Sequence, residues 1–373
     1  MVMQRKIRNL VVKAWMPVMA SVLFFALHCT VHAQALTPVP LYVASAPSGN
    51  DANSCMTSAS PCLTISGAVS KIASLNLNSG VVQIQLLDTG PFSGLYLTNT
   101  LTGAAGYNTS TYSPDYTETL SIVANTITPA IITQALGASG TPLGANFICS
   151  AGAQLSLSNL MIEIADDTSG IEAISGCQIY IEGPMTFVNA FPVSKGAQSA
   201  MYQQYNSSIT VWSGTNLKFG GLFQTVLNGE GIGEIDFTST GGAGTNAVTC
   251  APGTQISIAF ADAELNSAIQ FESGWNWDGP SGCGPSGGRV TATGSNSFQV
   301  QVATGAVVSN GSGFNLPGPC NTTIQKNGCV KVHDGGSLTP SNAPTINVGG
   351  GTGGCPSGAL LPGATNYAGN SST

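Results

Sequence analysis

Short runs of alternating apolar and polar residues recur through the middle of the chain, with a turn of Ser, Asn or Gly inside each unit. In one unit Leu155 and Leu157 alternate with Ser156 and Ser158, Asn159 turns, and Leu160 and Ile162 resume the alternation. The next runs Ile179, Ile181, Gly183, Met185, Phe187, and a third runs Ile209, Val211, Gly214, Leu217, Phe219. The pattern returns less cleanly at Ile235 and Phe237 and at Ile256, Ile258 and Phe260, so that unit starts lie 24, 30, 26 and 21 residues apart. Period two sends alternate side chains to opposite faces of a strand, and a strand unit repeating every roughly 20–50 residues marks a solenoid. The predicted fold is therefore all-β: a single-stranded right-handed parallel β-helix (solenoid) with an N-terminal capping α-helix.

That helix is expected near Thr64 to Leu75, where Ile65, Ala68, Val69 and Ile72 share one face and Thr64 stands as N-cap. An amphipathic helix ahead of the first coil would cover its open apolar end and unpaired strand edge. The resulting division is a leader over 1–35, a strand and capping helix over 36–80, the β-helix over 81–318, and a Gly/Pro-rich region over 319–373, flexible after about 341. Longer excursions interrupt the coils near 102–116, 190–205 and 273–288.

Composition changes the picture in two ways. Arg5, Lys6, Arg8 and Lys13 precede an apolar run from Val18 to Leu27, the form of a signal peptide, and Pro17, His28 and Thr30 break the run too early for a membrane span. Without residues 1–35 the chain keeps six basic against 17 acidic residues, a net charge of −11, with Arg289 its one arginine and His333 its one histidine. So acidic a surface cannot grip phosphate, which excludes nucleic acid as a partner, and it opposes anionic lipid. The expected location is secreted, periplasmic or at the cell surface of a bacterium, with no integral membrane span after signal cleavage.

Nine cysteines remain, which fits an oxidising compartment and leaves at least one outside any pair within the chain. Cys55 with Cys62 suits a local clasp, and Cys149 with Cys177, 28 residues apart, suits a bridge between adjacent coils. Cys320 with Cys329 and Cys250 with Cys283 are looser pairings. No paired CxxC set points to zinc.

The segment Leu41 to Asp51, followed by Ser60 to Ile65 and by Ala68 and Val69, resembles the opening segment of the pectin-lyase-like right-handed β-helix superfamily. Leu63 stands where Phe is common in that family. Leu75 to Gly80, Val82 to Leu86, Ala153 to Leu160 and Phe314 to Gly318 resemble a branch of prophage tail-associated and secreted bacterial β-helix proteins. The resemblance covers about residues 41–318. It implies the fold, whereas the superfamily mixes lyases, hydrolases, spikes and proteins without a known reaction. The mature chain has neither the Arg-x-Lys nor the Gly-His-Gly that a polygalacturonase-type hydrolase implies.

Two acidic groups carry the remaining chemistry. Glu163, Asp166, Asp167, Glu172 and Glu182 lie within 20 residues; Glu163, Asp166 and Asp167 are candidates for a hard cation such as Ca²⁺, the one cofactor considered, and Asp166 and Asp167 for acid–base work. Alternatively they are a solvated turn. Asp262, Glu264 and Glu272 accompany Trp275, Trp277, Asp278 and Arg289. Aromatic faces beside carboxylates suit a sugar groove, so Trp275, Trp277, Asp278, Glu272 and Trp212 are candidate ligand contacts, and Asp262, Glu264 and Arg289 candidate catalytic groups. Alternatively the tryptophans pack a loop onto the coils. The leading functional expectation is a non-catalytic exported protein presenting a lateral surface to a glycan (polysaccharide), the cell envelope or a protein, as monomer or homotrimer. The alternatives are a polysaccharide lyase or glycoside hydrolase acting on acidic polysaccharide, and a structural component of a phage-tail-like or envelope assembly.

Overall fold

Identical aliphatic positions in successive units find one another across parallel strands. In the computed structural model Val39, Val82, Leu120, Leu155, Ile179, Ile209, Ile235, Ile269, Val308 and Leu338 occupy one continuous rung-by-rung column. The structure describes residues 39–74, 81–98, 119–137, 140–189, 196–212, 214–238, 246–271, 275–276, 281–283, 290–292, 298–302, 307–310, 330–332 and 337–340. The leader at 1–35, the loop at 102–116, the pair Cys320 and Cys329, and the region after 341 lie outside the described residues.

Among the described residues, strands alternate among three parallel sheets of ten, nine and seven strands. From Val81 to Glu264 each coil visits them in the same order, as in Gln154–Ser158, Leu160–Ile164 and Ser169–Ile174, after which Gln178–Ile181 returns to the first. The chain is thus a parallel β-helix, with a first, second and third face. Crossovers between parallel neighbours are right-handed in nearly all proteins, the hand expected here.

The three inward columns meet in one core. Phe92, Ile132, Ile162, Phe187, Phe219 and Cys250 stack along the second face, and Leu95, Phe147, Ile171, Met201, Leu227 and Ala261 along the third. The rings of Phe187 and Phe219 stack with centroids 5.5 Å apart, and Phe223 and Phe260 meet Phe219 edge-on.

Corners depend on backbone that only some residues adopt cheaply. Asn159 sits at φ 57° and its side-chain amide donates to the carbonyls of Ala124 and Thr126 in the coil before, at 3.0 and 2.8 Å. The corner from third to first face is a two-residue turn with both residues at positive φ in Ala151-Gly152, Ser175-Gly176, Tyr205-Asn206 and Leu265-Asn266, whereas in Gly231-Ile232 the glycine alone is. Glycine at 152 and 176 makes the second position free of strain.

The unit beginning at Ile256 departs from the sequence reading. Ile256 to Phe260 belong to Thr254–Glu264 on the third face, and the true successor of Ile235 is Ile269. Alternation is alike on every face, so period alone does not say which face a strand joins. The β-helix also passes its expected end at 318: Val330–Val332 and Ser337–Pro340 continue the third and first faces. Their alternation is too short to stand out in Gly/Pro-rich sequence.

At the N-terminal end the helix spans Ile65–Lys71, shorter than expected, with a 3-10 turn over Ile72–Ser74. The Thr64 hydroxyl accepts from the Gly67 amide at 2.8 Å, the N-cap bond, and Ile65, Ala68 and Ile72 are buried. The Asp51 carboxylate accepts from the amides of Leu63 and Thr64 and from the Thr64 hydroxyl. A Cβ on Gly67 would lie 2.2 Å from that carboxylate, so the small residue is needed for this closure. Disulfides join Cys55–Cys62, Cys149–Cys177 and Cys250–Cys283. The second ties adjacent coils, and closing a loop of that length stabilises by about 3–4 kcal/mol in the chain-entropy account. Among the described residues no helix is long and apolar enough to cross a membrane.

Because Phe219 touches rings from three strands, Phe219→Ala is expected to cost about 3–5 kcal/mol, read as a lower urea midpoint. A shift of under about 1 kcal/mol would show that this stack does not hold the coils.

Candidate functional site

The outward side of the third face differs from the rest of the surface. One outward column runs Tyr96, Ile148, Glu172, Tyr202, Asn228, Asp262. The next, two residues on, runs Ile174, Gln204, Glu230, Glu264. Coil stacking therefore gathers four carboxylates from strands far apart in sequence. Glu230 pairs in register with Glu264, the one carboxylate-on-carboxylate step among the described ladder pairs, and like charges directly opposite destabilise a sheet.

Tyr202 bridges the two columns by donating its phenol proton to Glu230. Burial, then that hydrogen bond and the charges of Glu230 and Glu172, push the Tyr202 phenol well above its ordinary value. Burial likewise raises the Glu172 carboxyl above its usual 4.5, opposed by a hydrogen bond from Ser169. Asp262 is buried.

At the N-terminal end of the first column, Tyr96 lines an open cleft of about 490 Å³ with Leu136, Thr64, Ser66, Ser93 and Gly94. Its far wall is a small hairpin between second and third faces, closed by the Leu136–Pro142 bridge and by Gly137 donating to Thr141 at 2.8 Å. Tyr96 and Leu136 are both exposed, each offering an apolar surface beside hydroxyls.

The structure separates the groups that the sequence joined. Asp262 and Glu264 lie on the third face, but Trp275 opens the last described strand of the second face, Trp275–Asn276, and is only 5 % exposed. Its ring meets Phe237 edge-on at 5.3 Å and its indole N–H donates to the Thr238 carbonyl at 3.2 Å. A tryptophan so enclosed cannot stack on a sugar; it packs the core. Trp212, half-buried, follows Ser207–Val211 at the corner of first and second faces, away from Asp262. Glu272, Trp277, Asp278 and Arg289 lie outside the described residues.

The first acidic group also divides. The Asp166 carboxylate accepts from Asn189 at 3.2 Å, and Asp167, at φ 57°, accepts from Gln224 at 3.1 Å. Both lie in the turn from second to third face of one coil and are bonded by side chains of the next two coils. Glu163 is on the second face and Glu172 on the third. Among the described residues no three His, Cys, Asp or Glu side chains group in a way that could hold a metal ion, so Glu163, Asp166 and Asp167 do not form the expected Ca²⁺ site.

Sequence reasoning missed Glu230, Asn228, Gln204, Tyr96 and Leu136 as members of one surface. For the first four the common signal is register, each being an outward residue at a fixed offset from an inward one, whereas Leu136 lies in a corner outside the ladders. Compared with family models, curated proteins and solved structures, the chain finds no match.

The raised Glu172 pKa makes a signed prediction. Below 4.5 the carboxyl is protonated in both states; above it the unfolded chain ionises first, so stability present at low pH is lost as pH rises through the folded value. Glu172→Gln lacks this loss. Its Tm relative to the parent is expected to climb from pH 4.5 towards neutrality, and a pH-independent difference would contradict the assignment.

Proposed function

We propose that the chain is an exported, non-catalytic β-helix of the pectin-lyase-like type that binds a neutral glycan along its third face, anchored in the Tyr96 cleft. The observation that carries this reading is the cleft itself, lined by exposed Tyr96 and Leu136 together with the hydroxyl residues Ser66 and Ser93. A pyranose has an apolar face and a polar rim, and a concave site of a few hundred Å³ with few polar groups suits such a ligand. The column leading away from Tyr96 offers the Tyr202 ring and the Asn228 amide to further sugar units. Three disulfides and the basic-apolar leader support export.

The four carboxylates weigh against an acidic polysaccharide on this face, because each would meet a like charge. A hydrolytic second reading draws on one observation, the carboxyl of Glu172 held protonated to higher pH by burial.

An array of neutral glycans probed with the intact chain tests the proposal. Tyr96→Ala is expected to weaken the best ligand about tenfold or more, without release of reducing ends. Retention that is equal in parent and variant, or absent on every neutral glycan, overturns it. Reducing ends released by the parent and lost in Glu172→Gln would replace binding with hydrolysis.

A further inference from the structure

The corner between third and first faces contains its own control. Five successive coils turn there, and backbone hydrogen bonds stack the turns: Gly152 donates to Ser175, Gly176 to Tyr205, and Asn206 to Ile232. Two coils use the small pairs Ala151-Gly152 and Ser175-Gly176, whereas the next three place Tyr205, Ile232 and Leu265 at the same corner. Those three side chains are 57, 63 and 42 % exposed. Tyr205 and Leu265 moreover sit at φ 52° and 54°, backbone that large side chains adopt only at a cost. Neither burial nor turn geometry accounts for large apolar residues where smaller ones serve two coils earlier.

Register stacks Tyr205, Gly231 and Leu265 along the corner, with Ile232 one residue on, and together the three large side chains make a ridge. A Cβ on Gly231 would lie 3.4 Å from the Tyr205 ring, an ordinary contact distance, so that ring lies over the next coil's turn. Glu230 and Glu264 immediately precede the turn on the third-face side, and Glu234 and Asp236 follow it on the first-face side. Among the described residues from 119 to 271 one basic side chain occurs, Lys218, and it lies on the second face.

We infer that this ridge is a docking surface for a polypeptide segment that carries apolar side chains beside Lys or Arg. Ile232 and Leu265 are aliphatic and offer no flat face to a sugar, while exposed contiguous apolar surface rimmed by polar groups marks protein contact. The carboxylates on both flanks fix the sign of the partner, and the in-register pair Glu230 and Glu264 gains most from a cation placed between them. A second copy of this chain would set carboxylates against carboxylates, and an anionic lipid surface would be repelled. The inference stands apart from the glycan reading, since it uses neither the Tyr96 cleft nor a sugar.

The test uses the intact, disulfide-bonded chain and two synthetic peptides, one alternating Leu with Lys and one alternating Leu with Glu. The Leu/Lys peptide is expected to bind, more weakly as salt rises, and about tenfold or more weakly to the double variant Ile232→Ser, Leu265→Ser. Both positions are exposed, so the variant's Tm should match the parent's, and Tm is measured alongside. If it falls, the milder Ile232→Thr alone, at unchanged Tm, must still weaken the peptide. Equal affinity for parent and variant, or equal binding of the Leu/Glu peptide, overturns the inference. So does a self-associated parent that the double variant converts to monomer, which would make the ridge an interface between copies.

Discussion

Everything in this molecule depends on stacking aliphatic side chains in register along one parallel column. The column from Val39 to Leu338 passes through ten strands without a polar residue. A slip of one residue in any coil would turn its whole inward set outward. Burial of that column from Val82 to Ile269 therefore fixes register, and register fixes every outward neighbour. Disulfides and corners act within this constraint. Cys149–Cys177 joins coils that the ladder already aligns, and Asn159 closes a corner whose strands are already paired.

Register has a consequence for charge. A residue on a coil face lies one strand spacing, about 4.8 Å, from its equivalents above and below, so repeated charge is costly. Over most of the surface the chain avoids it. Asp236 stands between Thr210 and Gln270, and Glu234 between Ser208 and Ala268. The third face breaks that rule at Glu230 and Glu264, and the adjoining corner breaks the preference for small turn residues at Tyr205, Ile232 and Leu265. Two departures from what stability favours, side by side on the same coils, mark the surface most shaped by something outside the chain.

The fold was legible because period-two alternation and Gly or Asn corners report directly on burial and turn geometry. The pairing of Cys149 with Cys177 was legible for the same reason, since 28 residues is about one coil. Face identity was not, because Ile256 to Phe260 alternate just as Ser267–Phe271 do while belonging to a different sheet. The candidate site was legible only in fragments. Clustering along the sequence joined Asp262 to Trp275, which the winding sends to different faces, and separated Glu172 from Glu230, which it brings to neighbouring columns. Coils of 24 to 43 residues place spatial neighbours beyond any local motif.

The most direct measurement is cross-linking along the third-face column. Tyr202→Cys with Asn228→Cys puts thiols on adjacent strands, within the 4.4–6.8 Å Cα range of a disulfide. Tyr202→Cys with Asp262→Cys puts them two strands apart, roughly 10 Å. Mild oxidation of the folded chain should close the first pair within one molecule and leave the second open. Closure of the second pair as readily as the first, or failure of the first, would contradict the register on which this account of fold and surface rests.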